Sequence, residues 1–374
     1  RSSPLTIVDP HDEAATLEKR ARAYLHVNCA HCHRRGGGGT AAMDVQFQLP
    51  LAKTNLLHQR PTQGTFGIHA AQVVASGDPY RSVLFFRMSK LGAGRMPRIG
   101  SSVVDSVGTK LIHDWISTLP SASPNASIAR SRGETAVALK MLKSAGNAKQ
   151  RTAQINSLLG STSGAFRLLQ ATSGNELPGT TRDQAIAAAT THQSATVRDL
   201  FERFLPEEKR VKRLGTIVKP SQILALPGDV ARGRTVFFKT DGVQCRNCHK
   251  IAGQGKEVGP DLSGVGKTFT RAQILESILQ PSKKIEPKWL TYVIETAQGR
   301  VYTGLLVKKD DKEVVLKDAK DKLIRVAADD VDVLAAQQKS LMPDLLVREM
   351  TARQVADLTA FLASLKTPAP KKDK

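Results

Sequence analysis

Two copies of the pentapeptide Cys-x-x-Cys-His use all four cysteines of this 374-residue chain. They occupy residues 29–33 and 245–249. This spacing is the attachment signature of c-type haem, because each thiol can add to one vinyl group while the following histidine becomes an axial ligand of the iron. The sequence therefore predicts two haem c groups, each with its iron. The attachment and proximal-ligand residues are Cys29, Cys32, His33, Cys245, Cys248 and His249.

The same cysteines allow two other interpretations. Two Cys-x-x-Cys pairs could form one four-cysteine zinc site, and a single pair could be a thioredoxin-like redox site. A zinc site does not need a histidine directly after each pair, and its pairs usually lie much closer in sequence. A redox pair does not explain the repeated histidine. Haem attachment accounts for every residue of both motifs and is the preferred hypothesis.

The chain is strongly basic, with a formal net charge of +21. The excess of lysine and arginine is spread along the whole sequence rather than concentrated in one arm. Such a surface favours acidic redox partner proteins through electrostatic steering. Only 5% of the residues are aromatic, which leaves few side chains for base stacking and argues against nucleic-acid binding. No apolar run is long enough to form a transmembrane segment.

The first residues of the chain bear on localisation. The sequence begins Arg-Ser-Ser-Pro and shows no signal peptide. Covalent haem attachment takes place outside the cytoplasm in bacteria. We therefore expect a periplasmic or secreted protein whose export signal was removed or lies upstream, and we expect this chain to be the C-terminal part of a larger exported redox protein.

Residues 9–120 are predicted to form a first haem domain. Asp9 and Pro10 are typical of a helix start, and residues 14–27 then follow a helical apolar period into the first motif. Four glycines at 36–39 come after the motif. They would let the backbone turn beside the porphyrin, although a flexible loop explains them equally well.

The distal ligand of the first iron is expected downstream of the motif, in the order of elements found in compact c-type cytochromes. Met96 lies in a glycine-rich loop ahead of a predicted helix over 103–119 and is the preferred ligand. Met88 competes with it, but the apolar helical pattern of 82–91 favours core packing for Met88. The remaining candidates are isolated histidines, which are more often structural: His58, His69 and His113.

Residues 121–227 are predicted to form a helical spacer. A polar linker over 121–131 comes first. Five Ala-, Leu- and Gln-rich segments with helical periodicity follow, at 134–144, 149–159, 164–171, 181–189 and 196–205. The spacer carries no recognisable catalytic constellation. Its charge run at 209–213 is interpreted as a solvated surface rather than a partner-binding patch.

Residues 228–366 are predicted to form a second haem domain, followed by a disordered tail over 367–374. A helix over 228–238 leads into the second motif, as the first helix leads into the first motif. A capping box at Thr270 and Gln273 then starts another helix, and a second one at Thr351 and Gln354 starts the final helix. The order helix, motif and helix therefore occurs in both predicted haem domains.

Between residues 288 and 338 the apolar period changes to two and β-branched residues become frequent. The predicted strands are 289–296, 300–307, 313–317 and 323–326. This pattern indicates an antiparallel β-meander inserted in the second haem domain. Met342 follows the meander, ahead of a final helix that ends near Leu365, and is the preferred distal ligand of the second iron. Met350 is the alternative.

Residues 259–266, Gly-Pro-Asp-Leu-Ser-Gly-Val-Gly, resemble the Gly-Pro-x-Leu-x-Gly-x-Gly segment of class I cytochromes c. The resemblance implies that the Pro260 carbonyl accepts a hydrogen bond from His249. That bond fixes the ring and raises the basicity of the ligand. The first predicted haem domain lacks this segment.

A wider resemblance covers about two thirds of the chain. Residues 228–365 resemble the haem-binding domain found in Planctomycetes and Verrucomicrobia, through the stretches 242–249, 259–262, 280–285, 303–305 and 340–343. Residues 20–119 resemble the cytochrome module that often precedes that domain, through 24–29 and 95–97. The resemblance implies a large secreted or periplasmic protein, with a propeller, dehydrogenase or carbohydrate-active domain upstream.

Taken together, these patterns predict a mainly α fold with two class I-like cytochrome c domains, a helical spacer between them and a β-meander in the second. The expected function is electron transfer through two His/Met haems, without enzymatic turnover. One alternative is a dihaem cytochrome c peroxidase-like enzyme, but the Met-Pro pair in both domains argues against an iron open to peroxide. Another is a binding module whose meander contacts a polysaccharide or a protein through Trp289, Tyr292 and Tyr302.

Overall fold

The structure is a computed structural model that describes residues 6–35, 37, 39, 41, 43–98, 100–121, 125–240, 243, 245–319 and 321–367. The chain divides into two compact units, the first formed by residues 1–34 and 41–211 and the second by 35–40 and 212–374. The expected disordered tail from residue 368 onward, and two of the four glycines at 36–39, lie outside the described residues. Within those residues, no helix has the length and apolar character needed to cross a membrane.

The first unit is built from helices. They are α1 (Leu17–Cys29), α2 (Val83–Met88), α3 (Ser106–Thr118), α4 (Ala126–Lys143), α5 (Ala148–Leu159), α6 (Thr162–Ser173), α7 (Gly179–Thr190) and α8 (Ala195–Phe201). The last five of these correspond to the five helical segments predicted for the spacer. The first of the five starts within the stretch predicted to be a polar linker.

The helix start predicted at Asp9 and Pro10 is wrong. Helix α1 begins at Leu17, and the side chain of Thr16 accepts a hydrogen bond from the Lys19 amide as its N-cap. The Asp9 carboxylate instead accepts from the amide of His11, two residues on. Asp side chains compete with helix formation in this way, because such a local turn satisfies the same backbone donors.

One hydrophobic core runs through the first unit, from the α1–α3 pair into the helices of the predicted spacer. The rings of Phe85 in α2 and Phe166 in α6 lie 4.6 Å apart, centroid to centroid. Phe201 in α8 is fully buried in the same cluster. The division into three domains stays a prediction. The two compact units group most of the expected spacer, up to Val211, with the first motif.

The second unit combines helices with two sheets. Its helices are α9 (Pro220–Leu224), α10 (Val230–Lys239), α11 (Val265–Thr268), α12 (Arg271–Leu279) and α13 (Ala352–Ser364). Its strands are β1 (Lys250–Ile251), β2 (Gln254–Gly255), β3 (Thr291–Thr296), β4 (Val301–Lys309), β5 (Glu313–Lys317), β6 (Leu323–Ala327) and β7 (Val331–Gln337). Helix α10, which leads into the second motif, packs along the closing helix α13.

The second unit has both capping boxes expected from its sequence. The Thr270 hydroxyl and the Gln273 side chain cap the start of α12 reciprocally, and Thr351 and Gln354 do the same for α13. Each box satisfies two backbone donors that a helix start leaves without an intrahelical partner. These short patterns therefore fixed two helix starts correctly.

The large sheet is antiparallel and has the strand order β6-β5-β4-β3-β7. Strands β3 to β6 are the four strands of the predicted meander. The fifth strand, β7, was not predicted, and it pairs with β3 on the other edge of the sheet. Its sequence carries two alanines and is mostly exposed, so it lacks the alternating apolar pattern that reveals a half-buried strand. The sheet has its own small core around Ile294 and Leu316.

Candidate functional site

The two Cys-x-x-Cys-His motifs adopt the same backbone turn. In the first copy, the amides of Cys32 and His33 both donate to the carbonyl of Cys29, at 3.1 and 2.8 Å. In the second copy, the corresponding distances to the Cys245 carbonyl are 3.1 and 2.9 Å. The two cysteines and the histidine of each motif therefore belong to one hydrogen-bonded turn, as covalent haem attachment requires.

The candidate proximal histidine of the second motif is oriented by a hydrogen bond. The distance from His249 Nδ1 to the Pro260 carbonyl oxygen is 2.9 Å. A carbonyl oxygen can only accept, so Nδ1 carries the proton and Nε2 keeps the lone pair that a metal needs. This is the hydrogen bond that the resemblance to class I cytochromes c implied.

Gly259, next to that proline, lies close beneath the histidine ring. A Cβ atom at this position would stand 2.8 Å from Cε1 of His249. Only glycine permits such a close approach without displacing the ring. The Gly259 amide also donates to the Cys248 carbonyl at 2.7 Å. The Gly-Pro pair therefore has two roles, because the glycine makes room for the ring and the proline carbonyl holds it.

Burial sets the protonation of the second site. It lowers the pKa of His249, an effect that the hydrogen bond to Pro260 partly opposes, so the imidazole is neutral and able to ligate at neutral pH. Burial also raises the pKa of the Cys245 thiol to about 12. The pKa of Cys248 is raised by burial as well, with Lys256 opposing the shift. Thioether formation adds a sulfur and a hydrogen across a vinyl bond, and these side chains supply both atoms. The residues present therefore fit haem c.

The first motif is supported differently. The candidate proximal ligand His33 is buried, with 7% of its surface exposed, whereas His31 between the two cysteines is exposed. The His33 carbonyl accepts from the Val45 amide at 2.9 Å. Burial, and then the neighbouring Cys32, raises the pKa of the Cys29 thiol to about 12. The site has the same donor types as the second one, so haem c fits here as well.

The two candidate distal methionines of the first unit have different surroundings. Met88 is 7% exposed and belongs to the hydrophobic core, which agrees with the interpretation that it packs in the core. Met96 is half-buried in the loop after α2, and its amide donates to the Arg87 carbonyl at 3.0 Å. Met96 therefore remains the better candidate for an axial ligand.

Two of the three histidine alternatives have polar protein partners at their ring nitrogens. His58 is exposed. His69 Nε2 lies 3.3 Å from the Ser127 hydroxyl. Both ring nitrogens of His113 are engaged, Nδ1 with Asp114 at 2.9 Å and Nε2 with the Tyr80 hydroxyl at 3.3 Å. None of these contacts favours a role as a ligand.

In the second unit, Met342 is half-buried and touches the hydrophobic core, whereas Met350 is completely buried within that core. The Met342 amide donates to the Ser340 hydroxyl at 3.1 Å, and the Ser340 amide donates to the Ser282 hydroxyl at the same distance. These bonds tie the Met342 loop to the segment that follows α12. Met342 thus lies in a held loop, while Met350 is a packing residue.

The aromatic residues considered for partner binding are partly accounted for by the fold. Tyr292 and Tyr302 are half-buried and pack against the small core of the large sheet. Trp289 stands just before β3, with the Lys288 ammonium 5.7 Å from its ring centroid. The two tyrosines therefore serve the packing of the sheet.

The sequence reasoning missed a buried ion pair between Lys90 and Asp199. Lys90 is only 1% exposed, and its Nζ lies 2.8 Å from Asp199 Oδ2 in α8. The one signal in the sequence was a lysine set among the apolar residues that follow α2. Its partner is more than a hundred positions away, so spacing gave no indication of the pair.

The zinc alternative needs further ligands beside each cysteine pair. In the part of the chain that the structure describes, no three Cys, His, Asp or Glu side chains are grouped so as to hold a metal ion. Haem attachment needs only the two cysteines and the histidine of each motif, and these share one turn.

Comparison with known proteins bears on the second unit. Residues 230–315 match the cytochrome c family model. A stretch of 71 residues, 18% of this chain, is 35% identical to a cytochrome c-553-like protein of Synechocystis sp., and it covers 63% of that protein, less than two thirds of its length. The chain therefore contains a cytochrome c domain near its C-terminus. Such a domain implies covalently bound haem c and electron transfer with redox partners.

Proposed function

We propose that this protein is a dihaem c-type cytochrome that passes electrons through two covalently attached haems. The observation that carries the proposal is the backbone turn shared by the two motifs, whose paired hydrogen bonds agree within 0.1 Å (3.1 and 3.1 Å; 2.8 and 2.9 Å). The second turn lies inside the residues that match cytochrome c. The first turn has the same two cysteines and following histidine, with the same pair of backbone hydrogen bonds, so we infer the same attachment chemistry for it.

Each side chain has a defined role in this proposal. Cys29 and Cys32 attach one haem, and Cys245 and Cys248 attach the other. The proposed axial pairs are His33 with Met96 and His249 with Met342. When bound, each haem supplies a one-electron iron couple, and methionine ligation raises its potential. The Pro260 carbonyl holds the His249 ring in place, and the apolar residues around each motif limit the access of water.

Electron transfer suits these ligands better than turnover does. A methionine on each iron leaves no position open for a substrate. The basic surface, with a formal net charge of +21, suits acidic redox partner proteins. We propose that the protein acts in the periplasm or outside the cell, because covalent haem attachment takes place outside the cytoplasm in bacteria. We also propose that it is a module of a larger exported redox protein, as the sequence resemblance implies.

The test is a haem count with optical spectra of the purified 374-residue chain. We expect two haems per chain, both low-spin, with the near-infrared band of methionine bound to iron(III). Met96→His and Met342→His should each remove about half of that band. Met88→Leu and Met350→Leu, which keep core volume, should leave it unchanged. A high-spin iron together with peroxide consumption would instead identify a peroxidase.

A further inference from the structure

We propose that Asp199 is a positioning residue for the first haem: through Lys90 it holds the loop that carries Met96. The inference rests on the proposed function, since it assigns Asp199 a task at the first distal ligand. Helix α8, which carries Asp199, lies in the segment predicted to be a spacer. Through Asp199, this helix would influence the properties of the first iron.

The loop between α2 and Met96 is held from one side by α2 and by residues just after it. Gly92 and Gly94 have positive φ angles of 73° and 83°, which glycine adopts without strain. The Arg87 guanidinium donates through Nε to the Gly94 carbonyl at 2.6 Å. The Lys90 ammonium donates to the Ala93 carbonyl. Consecutive loop residues are therefore fixed by two cations.

Lys90 can hold the loop only if its own charge is compensated. It is almost completely buried, and an ammonium in such a place is costly without a charged partner. Asp199 supplies that partner at 2.8 Å, and its backbone carbonyl accepts from the Leu91 amide at 2.9 Å. Asp199 thus fixes both the side chain of Lys90 and the backbone that follows it.

The consequence concerns how readily Met96 leaves the iron. A distal methionine detaches when its loop moves, and an anchored loop makes the detached state less populated. An external ligand binds only to that detached state, so its apparent affinity is proportional to the detached fraction. Loosening the Asp199–Lys90 anchor should therefore increase ligand binding at the first iron without any change in the residues that touch the haem.

The experiment compares Asp199→Asn with a matched control in the haem-loaded 374-residue chain. Both are made in the Met342→His background, so that the second iron carries a ligand that cyanide displaces poorly. The control is Glu176→Gln, which removes the same charge from the exposed Lys143–Glu176 pair in the same unit. We expect D199N to raise the apparent cyanide affinity of the ferric first haem about tenfold, and E176Q to leave it within twofold.

Two further variants guard against misfolding. Lys90→Met combined with Asp199→Asn removes both buried charges, which proteins often tolerate, and it should increase cyanide affinity as D199N does because the Ala93 contact is lost. Asp199→Glu keeps the charge and should restore most of the parental affinity. Equal affinities for D199N, E176Q and the parent would overturn the proposal. So would an equal increase at the second iron, measured in a Met96→His background, because that would indicate general loosening.

The failure of the proposed function would be visible before any of these variants is compared. If the Met342→His parent lacks the methionine–iron(III) band, then Met96 does not ligate a haem iron. If the band is present and D199N leaves both the band and cyanide affinity unchanged, the proposed function stands and the role of Asp199 does not.

Discussion

The two Cys-x-x-Cys-His turns share the same pair of backbone hydrogen bonds but have different surroundings. In the second unit, the ring of His249 is hydrogen-bonded to the Pro260 carbonyl and lies against Gly259. In the first unit, the chain around His33 has no such Gly-Pro segment, and its carbonyl is bonded to the Val45 amide. A five-residue motif therefore specifies the turn, while the remainder of each unit determines how the histidine is held.

The helices that frame the two turns show the same contrast. In both units the helix that precedes the motif meets the closing helix at a glycine. Gly108 lies on the closing helix α3, under the ring of Tyr24, whereas Gly233 lies on the leading helix α10, against the backbone of Asp357 in α13. The close approach is thus common to both units, but opposite helices supply the glycine. The polar bonds at the two crossings also differ.

The largest expected effect comes from removing one cysteine pair at a time. We expect Cys29→Ala with Cys32→Ala, and separately Cys245→Ala with Cys248→Ala, each to remove one covalent haem and leave the other, because each proposed site has its own pair of cysteines. Mass spectrometry and haem extraction into acidified organic solvent measure the count. If the haem count is unchanged after loss of the first cysteine pair, then only the second turn is a haem site, and the two turns cannot be compared as haem sites.

The next effect tests the two helix crossings. A Cβ at position 233 would overlap the backbone of α13, while a Cβ at 108 would overlap the ring of Tyr24. Backbone yields less than a side chain. We therefore expect Gly233→Ala to cost about 3 kcal/mol and Gly108→Ala about 2 kcal/mol of unfolding free energy. Peptide-resolved hydrogen exchange locates each loss.

Gly179→Ala is the control for the crossing variants, because a Cβ there has nothing within 4 Å. It should leave exchange protection in both units unchanged or slightly increased. If G233A and G108A lose the same unfolding free energy, then both helix crossings tolerate a Cβ atom equally. The proposed difference between the two crossings would then be wrong.

Acid should affect the second unit through Asp357. Burial would raise the pKa of this carboxyl, but the hydrogen bonds from Arg232 and from the Asp229 amide outweigh it and hold the pKa below its ordinary value. The carboxylate then contributes stability that is complete above about pH 4, its unfolded pKa, and that is lost as the pH falls below it. Asp357→Asn should cost about 2 kcal/mol at neutral pH.

The diagnostic outcome is the pH dependence. In the parent, the hydrogen-exchange protection of α10 and α13 should decrease when the pH is lowered below 4. In D357N, this protection should depend less on pH. Asp332→Asn, at an exposed position of β7, should behave like the parent. If D357N retains the full acid dependence, then other carboxylates determine the acid stability of the second unit.

Alkali should affect the first unit through Tyr24. Burial, followed by the 2.8 Å hydrogen bond that its hydroxyl donates to Asp105, raises the pKa of this phenol. The protonated phenol contributes stability that is complete below about pH 10, its unfolded pKa, and that is lost as the pH rises above it. Tyr24→Phe should cost about 1 kcal/mol at neutral pH and reduce the alkaline loss.

Tryptophan fluorescence can report this smallest effect. The chain has two tryptophans, and Trp115 is the one buried in the core of the first unit. In a Trp289→Phe background, urea unfolding of the first unit can therefore be followed between pH 8 and pH 11. Tyr302→Phe, in the second unit, serves as the control. An alkaline loss of equal size in Y24F and its parent would assign it to other groups.

Local patterns predicted a large part of this molecule. The two capping boxes, the five helices after α3 and four strands of the large sheet are all visible in the pattern of residues a few positions apart. The sequence resemblance also anticipated the bond between His249 and Pro260, which lie 11 positions apart in the chain. The roles of Met96 and Met342 as ligands stay predictions, because a ligand is defined by its distance to an iron.

Other features depended on the tertiary structure. The fifth strand is a strand because it can pair with β3, not because of its own pattern. Most of the predicted spacer shares its core with the first motif's helices, and Asp199 lies beside Lys90, although neither relation is visible in the spacing of the sequence. The sequence by itself predicted the haem-attachment chemistry and determined most of the short-range elements. Tertiary structure decided what surrounds each site, because burial and charge pairing depend on residues far apart in the chain.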